Sequence, residues 1–268
     1  MLTLYRPESI FSPRHIPSWL LFTFAAGAVN AAALLACQTY VTHVTGTVTR
    51  LGMEVVHLMP LLDFALVLSC FIGGAMLSGL LINGRAHQNK RPRFSVPLWI
   101  SFSLVLFTAI AGHFGLLGVF GGPVIVPADF ILLSILSFAM GLQNAAIATS
   151  TGLLVRTTHL TGPATDLGIH LAELMFSKDE ALALAKRHAA LRAGKIAAFA
   201  AGAAVTVPIA HRVEFLVFLM PASLMLLAII LSFLPENMRQ EARARIEEMR
   251  HASRQRTGAD VPGPVPAE

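Results

Sequence analysis

Residues 42–46 read THVTG, and residues 158–162 read THLTG. The context repeats as well. Gly27-x-x-Asn30-Ala31-Ala32 precedes the first copy, Gly141-x-x-Asn144-Ala145-Ala146 precedes the second, and Leu51-Gly52 and Leu167-Gly168 follow at identical distances. A period of roughly 115 residues is too long for a solenoid repeat and suits two halves of one domain. The chain therefore divides into a leading segment, 1–17, a first membrane repeat, 18–118, a second, 119–235, and a tail, 236–268.

Charged residues make up 13% of the chain and hydrophobic ones 55%, outside the balance of a soluble domain. No stretch alternates as an outer-membrane strand does. Uncharged apolar runs at Ser18–Cys37, Phe64–Ile82, Phe94–Gly112, Phe130–Thr149 and Phe215–Leu234 approach the roughly 20 residues that cross a bilayer. A sixth, Ile196–Ala210, is short and spans only if Arg192 and Lys195 snorkel to the interface. The first run is too long for a signal peptide and lacks a small-residue cleavage site, so it reads as a retained span. Cys37 and Cys70 fall inside apolar runs and read as small hydrophobes, without a metal or disulfide role.

The net charge of +5 invites a nucleic-acid reading, but the placement of the basic residues argues against one. Arg6 and Arg14 precede the first run; Arg85, Lys90, Arg91 and Arg93 follow the second. Six basic residues from Arg156 to Lys195 surround the fourth-to-fifth connection, and six more follow Glu236. Arg50 and Arg212 fall on the other side. Cytoplasmic loops keep the Lys/Arg excess, which predicts an all-α integral membrane protein with six transmembrane helices and both termini in the cytoplasm, its partner being the lipid bilayer.

Three crossings per half is an odd number, so the second half is expected to enter the membrane inverted with respect to the first. The semi-polar segments Val44–Leu58 and Leu160–Met175 then read as re-entrant, a backbone path tolerated at membrane depth only when buried in protein or lining a polar cavity. Each Thr-Gly is expected to mark the turn, with Pro163 in the first turn of the helix that follows. Both helix N-termini would favour an anion or a polar ligand near the membrane middle.

Past each phrase runs a polar stripe: Arg50, Glu54 and His57 in the first half, Asp166, His170 and Glu173 in the second. The spacing i, i+4, i+7 places each set on one helix face. Position by position a cationic group meets an acid, which predicts that the two stripes approach each other about a central two-fold axis. Ionisable groups at membrane depth generally pair or line a pathway. Beside these stand His43 and His159, two residues before Thr45 and Thr161, with Gly46 and Gly162 next. Two imidazoles without a clear third ligand make a weak metal signal, and no cofactor is expected. Asn30 and Asn144 lie inside spans, where an amide commonly joins helices by hydrogen bonds.

No nucleophile elbow, zinc-protease motif, P-loop or CxxC is present, so no enzymatic activity is expected. Lys178-Asp179-Glu180 through Arg187 reads as an amphipathic cytoplasmic insertion confined to the second half. Glu236–Arg256 reads as a basic helix near anionic lipid, and Thr257–Glu268, with three prolines, as disordered.

Met140-Gly141-Leu142-Gln143-Asn144-Ala145 and Thr161-Gly162-Pro163-Ala164-Thr165-Asp166-Leu167-Gly168 resemble the second-half motifs of the YoaK-type family, bacterial multi-pass inner-membrane proteins with a domain of unknown function. The likeness covers roughly residues 18–235. In the first half Asn30 stands where that family usually has an acid, and Thr47 where it has Asn. The resemblance implies a bacterial inner (plasma) membrane location and a multi-pass architecture, and no substrate.

These features together predict a small secondary transporter with a central site between the two re-entrant helices, for an anionic or weakly acidic solute with Arg50 as counter-charge. The alternatives are a channel and a non-transporting membrane scaffold or accessory subunit. Assembly as a homo-oligomer is compatible with each.

Overall fold

The computed structural model describes residues 4–5, 7–12, 15–56, 58–122 and 127–233. Arg6, Arg14, His57 and the tail 236–268 lie outside them. Among the described residues every regular element is helical: α1 (Pro7–Ile10), α2 (Ile16–Cys37), α3 (Val44–Met53), α4 (Leu58–Gly79), α5 (Arg85–His87), α6 (Val96–His113), α7 (Pro127–Ser150), α8 (Thr161–Phe176), α9 (Asp179–Val213) and α10 (Leu219–Ala228). A π-helical segment, Leu80–Gly84, joins α4 to α5, and another, Ile229–Phe233, extends α10.

Five stretches among the described residues are long and apolar enough to cross a membrane: Ile16–Cys37, Leu61–His87, Val96–His113, Ala128–Ser150 and Asp179–Phe233. This is the build of a multi-pass membrane protein. Local chemistry sets their ends. Pro17 and Pro97 sit in the first turns of α2 and α6, where no amide hydrogen is needed. Gln38, left-handed at φ 54°, ends α2 by returning its N–H to the Leu34 carbonyl. Outward positions carry exposed apolar side chains such as Ile72, Met76, Phe107, Ile110 and Leu227, as a lipid-facing surface requires.

The fifth stretch, 55 residues long, is not straight. Glu214 adopts φ 48° and ψ −126°, which stops α9; a 3-10 turn, Glu214–Phe218, then leads into α10. The two arms return to the same end of the bundle. Phe11 packs on His188 near the start of α9, with ring centroids 4.5 Å apart, and Phe233 packs on Trp19 at 5.9 Å. At the opposite end Phe120 meets Phe215 at 5.2 Å, and the Gly121 N–H bonds the Ala36 carbonyl at 2.9 Å. The segment Lys178–Arg187, expected as an amphipathic insertion of the second half, forms the N-cap and first part of α9. No breaker separates it from the apolar run that follows, so the helix simply continues.

Two close helix crossings hold the bundle together, and they share one pattern. A Cβ added to Gly27 would overlap the Phe199 carbonyl oxygen, and one added to Gly202 would overlap that of Phe24. Gly74 stands in the same relation to Phe138, and Gly141 to Phe71. The motif is Phe-x-x-Gly, at 24–27, 71–74, 138–141 and 199–202. Each glycine lets its helix settle backbone on backbone, the arrangement that small residues permit where lipid supplies no hydrophobic drive for helix association. One crossing joins α2 of the first half to α9 of the second; the other joins α4 of the first to α7 of the second. The halves are therefore interlocked rather than side by side.

Candidate functional site

Between the crossings lies a cavity of about 530 Å³, lined by 14 residues. They fall into seven pairs at matching positions of the two halves. Asn30 matches Asn144, Thr42 matches Thr158, His43 matches His159, Val44 matches Leu160, Thr45 matches Thr161, and Phe71 matches Phe199. The seventh pair, Tyr40 and Arg156, breaks the likeness. The offset between partners is 114 residues at the asparagines, 116 along the repeated phrase and 128 at the phenylalanines. It grows at the last step because α8 and the start of α9 are longer than their first-half counterparts.

The asparagines explain how each phrase is fixed. Asn30 Oδ1 accepts the Thr42 N–H at 3.1 Å, and Asn144 Oδ1 accepts the Thr158 N–H at 3.3 Å. A carbonyl-type oxygen inside a helix thus ties down the non-helical backbone just before the next helix begins. Gln143, on the same turn as Asn144, donates to the Phe22 carbonyl and the Thr157 hydroxyl, both at 3.1 Å. That joins α7, α2 and the second phrase.

Gly46 and Gly162 do not form the turn that the sequence suggested. Each lies in the first turn of a helix, and the reason for glycine is the histidine three residues before it. A Cβ on Gly46 would come within 2.6 Å of His43 Nδ1, and one on Gly162 within 3.0 Å of His159 Cε1. The missing side chain lets each imidazole fold over the start of α3 or α8.

Arg50 and Asp166, the first matched pair of the polar stripes, have different partners. Arg50 lies over the Phe64 ring, its guanidinium carbon 5.6 Å from the centroid, within reach of a cation–π attraction. Asp166 pairs instead with Arg192 of the neighbouring α9, at 3.1 Å from Nε. That N–H is not aimed along the contact, so it is a charge contact; the Arg192 head is oriented by Nη1 donating to the Leu154 carbonyl at 2.8 Å. Phe64 and Arg192 are themselves equivalent positions, 128 residues apart. The same inter-helix contact is made twice, by cation and ring in one half and by acid and cation in the other. His170 pairs with Glu173 on its own helix at 2.9 Å and lies edge-on to His188 at 5.0 Å. Glu54 caps the end of α3, its N–H on the Arg50 carbonyl.

Of the residues singled out from sequence, Asn30, His43, Thr45, Asn144, His159 and Thr161 share the cavity. Gly46 and Arg50 line a smaller pocket of about 160 Å³ with Tyr40, His43 and Phe64. Gly162 and Asp166 line its counterpart of about 200 Å³ with Arg156, His159, Arg192 and Lys195. Glu54, His170 and Glu173 stand beyond these. Sequence reasoning missed Tyr40, Thr42, Thr158, Arg156, Lys195, Phe71 and Phe199. The fourfold Phe-x-x-Gly was the available signal for the phenylalanines. Among the described residues no three His, Cys, Asp or Glu side chains gather as a metal site requires.

The chain belongs to the DUF1275 family of proteins of unknown function, which it matches over residues 18–231. No curated protein and no solved structure matches it.

Proposed function

We propose that the protein is a small secondary transporter of the bacterial inner membrane, built as two inverted three-span repeats, with its solute in the cavity between the THxTG phrases. One observation carries this reading: the cavity wall is made of seven position-matched pairs, one member from each half. A site on such a pseudo-two-fold axis opens toward one membrane face or the other as one half rocks against its mate, which is the usual logic of inverted-repeat carriers. α9 and α10 count as separate spans on either side of the Glu214 break, making six. The phrases then enter from opposite faces, and the end bearing Arg85, Lys90, Arg91 and Arg187 faces the cytoplasm.

A channel would use the same cavity as a pore, and a scaffold would use the interlocked crossings alone. Counterflow in proteoliposomes separates the three. A carrier accelerates uptake of labelled solute when unlabelled solute is loaded inside, a channel does not, and an absence of flux across a broad solute panel overturns both transport readings.

A further inference from the structure

The seventh pair, Tyr40 opposite Arg156, makes the cavity electrically lopsided, and the side pocket next to Arg156 extends the asymmetry. Lys195 projects from α9 into that pocket. It is among the most completely enclosed side chains of the protein, 1% exposed, and among the described residues the carboxylate that attracts its ammonium is Asp166. Arg192, beside it, is already engaged by Asp166 and the Leu154 carbonyl. Arg156 adds a further cation at the mouth, where the pocket meets the main cavity. The first turn of α8, at Gly162, contributes the positive end of a 16-residue helix. Three cations against one carboxylate leave the pocket with excess positive charge, and an enclosed ammonium whose carboxylate is already held by Arg192 is costly unless something anionic joins it. The matching pocket in the first half has Phe64 in place of Arg192 and a single cation, Arg50, already over that ring.

We infer that the pocket between Lys195 and Arg156 holds the anionic head of the solute, a small organic carboxylate whose apolar body lies in the main cavity against Tyr40, Phe71 and Phe199. This deepens the transporter reading and rests on its choice of site, yet binding itself requires no flux. A carboxylate accepts two or more charge-assisted hydrogen bonds from such a cluster, while the ring-lined cavity takes a body that inorganic anions lack. The counter-charge is thus on the second half, and Arg50 plays no part in it.

The test is thermal unfolding of the full-length protein in neutral detergent, at constant ionic strength, titrated with sodium benzoate, benzamide or sodium phosphate. Benzoate is expected to raise the midpoint saturably, with benzamide and phosphate each roughly tenfold weaker or worse. Lys195→Met abolishes the benzoate response while raising the ligand-free midpoint, because it removes the enclosed charge. Arg156→Tyr, which copies the first-half partner and lies at an exposed position, weakens the response, and Lys186→Met on the outer face of α9 leaves it intact. Equal responses to benzoate and benzamide, or an unchanged benzoate response in both Lys195→Met and Arg156→Tyr, overturn the inference. Stabilisation by phosphate without benzoate overturns the organic body. Benzoate binding without counterflow of any solute keeps the anion site and ends the transporter reading; counterflow of a neutral solute without benzoate binding does the reverse.

Discussion

Substituting Gly202 with Ala adds one methyl group at the α2–α9 crossing, and its effect follows from what that methyl would meet. The nearest atoms are the Phe24 carbonyl oxygen and carbon and the Ala28 nitrogen, all of them backbone. No side chain can rotate away, so the two helix axes must separate. A gap of about 0.5–1 Å forfeits a quarter to a half of each dispersion contact it opens, and overpacking of this kind costs about 1–3 kcal/mol. Alanine recovers some of that, since it is a better helix former than glycine by about 0.5–1 kcal/mol. Gly168 provides the control: it lies in α8, a methyl group there would have nothing within 4 Å, and the substitution keeps only the gain. The gain is common to both, so the two substitutions should differ by the overpacking cost, about 1–3 kcal/mol, which at about 2–4 °C per kcal/mol for a chain of this size is a gap of several degrees in thermal midpoint. Unfolding of both variants in one detergent, followed by tryptophan emission, measures it. A Gly202→Ala midpoint equal to or above that of Gly168→Ala would refute the close crossing.

Asn30→Asp keeps the oxygen that accepts the Thr42 N–H and should be well tolerated, whereas Asn30→Leu orphans that N–H and should cost about 1–3 kcal/mol; unfolding midpoints of the pair decide. Double-mutant cycles should find no coupling between Arg50 and Asp166, which have different partners, and about 0.5–1 kcal/mol between Asp166 and Arg192. Coupling in the first pair with none in the second would restore the cross-half stripe. Glu214→Gly relieves a positive φ and should raise stability by about 1 kcal/mol; a loss would mean that the glutamate side chain, and not the backbone break, sets the turn between α9 and α10.

The spans of α2, α6 and α7 are legible in the sequence because uncharged apolar runs mark them directly. The shared cavity is legible in outline, since identical phrases after identical Gly-x-x-Asn contexts imply equivalent places. The details are less visible. Pairing Arg50 with Asp166 assumes that matched positions face each other across the axis, but a residue more than one turn into a helix meets its nearest neighbour first, and for Asp166 that is Arg192 of α9. The importance of Arg156 is hidden because by sequence it is one more loop cation. Snorkelling of Lys195 to the interface is a fair default for a span end; its enclosure comes from α8 folding over α9, a contact that no local pattern announces. The repeated phrase points to Gly46 and Gly162 but not to their role, because the need for glycine comes from the packing of His43 and His159, and not from an unusual backbone angle.

The central claim is that the two THxTG phrases line one cavity. A cavity of this volume is about 10 Å across if roughly spherical. With Cys37 and Cys70 replaced by serine, paired cysteines at Thr45 and Thr161 should be joined within one chain by a bifunctional maleimide of about that span, in native membranes, and excess solute in the cavity should slow the reaction. Pairs at Thr45 and Gly168 should not be joined. Failure of Thr45 and Thr161 to cross-link, with each cysteine labelled by a membrane-impermeant reagent from its own face only, would place the phrases on opposite surfaces and contradict the shared site.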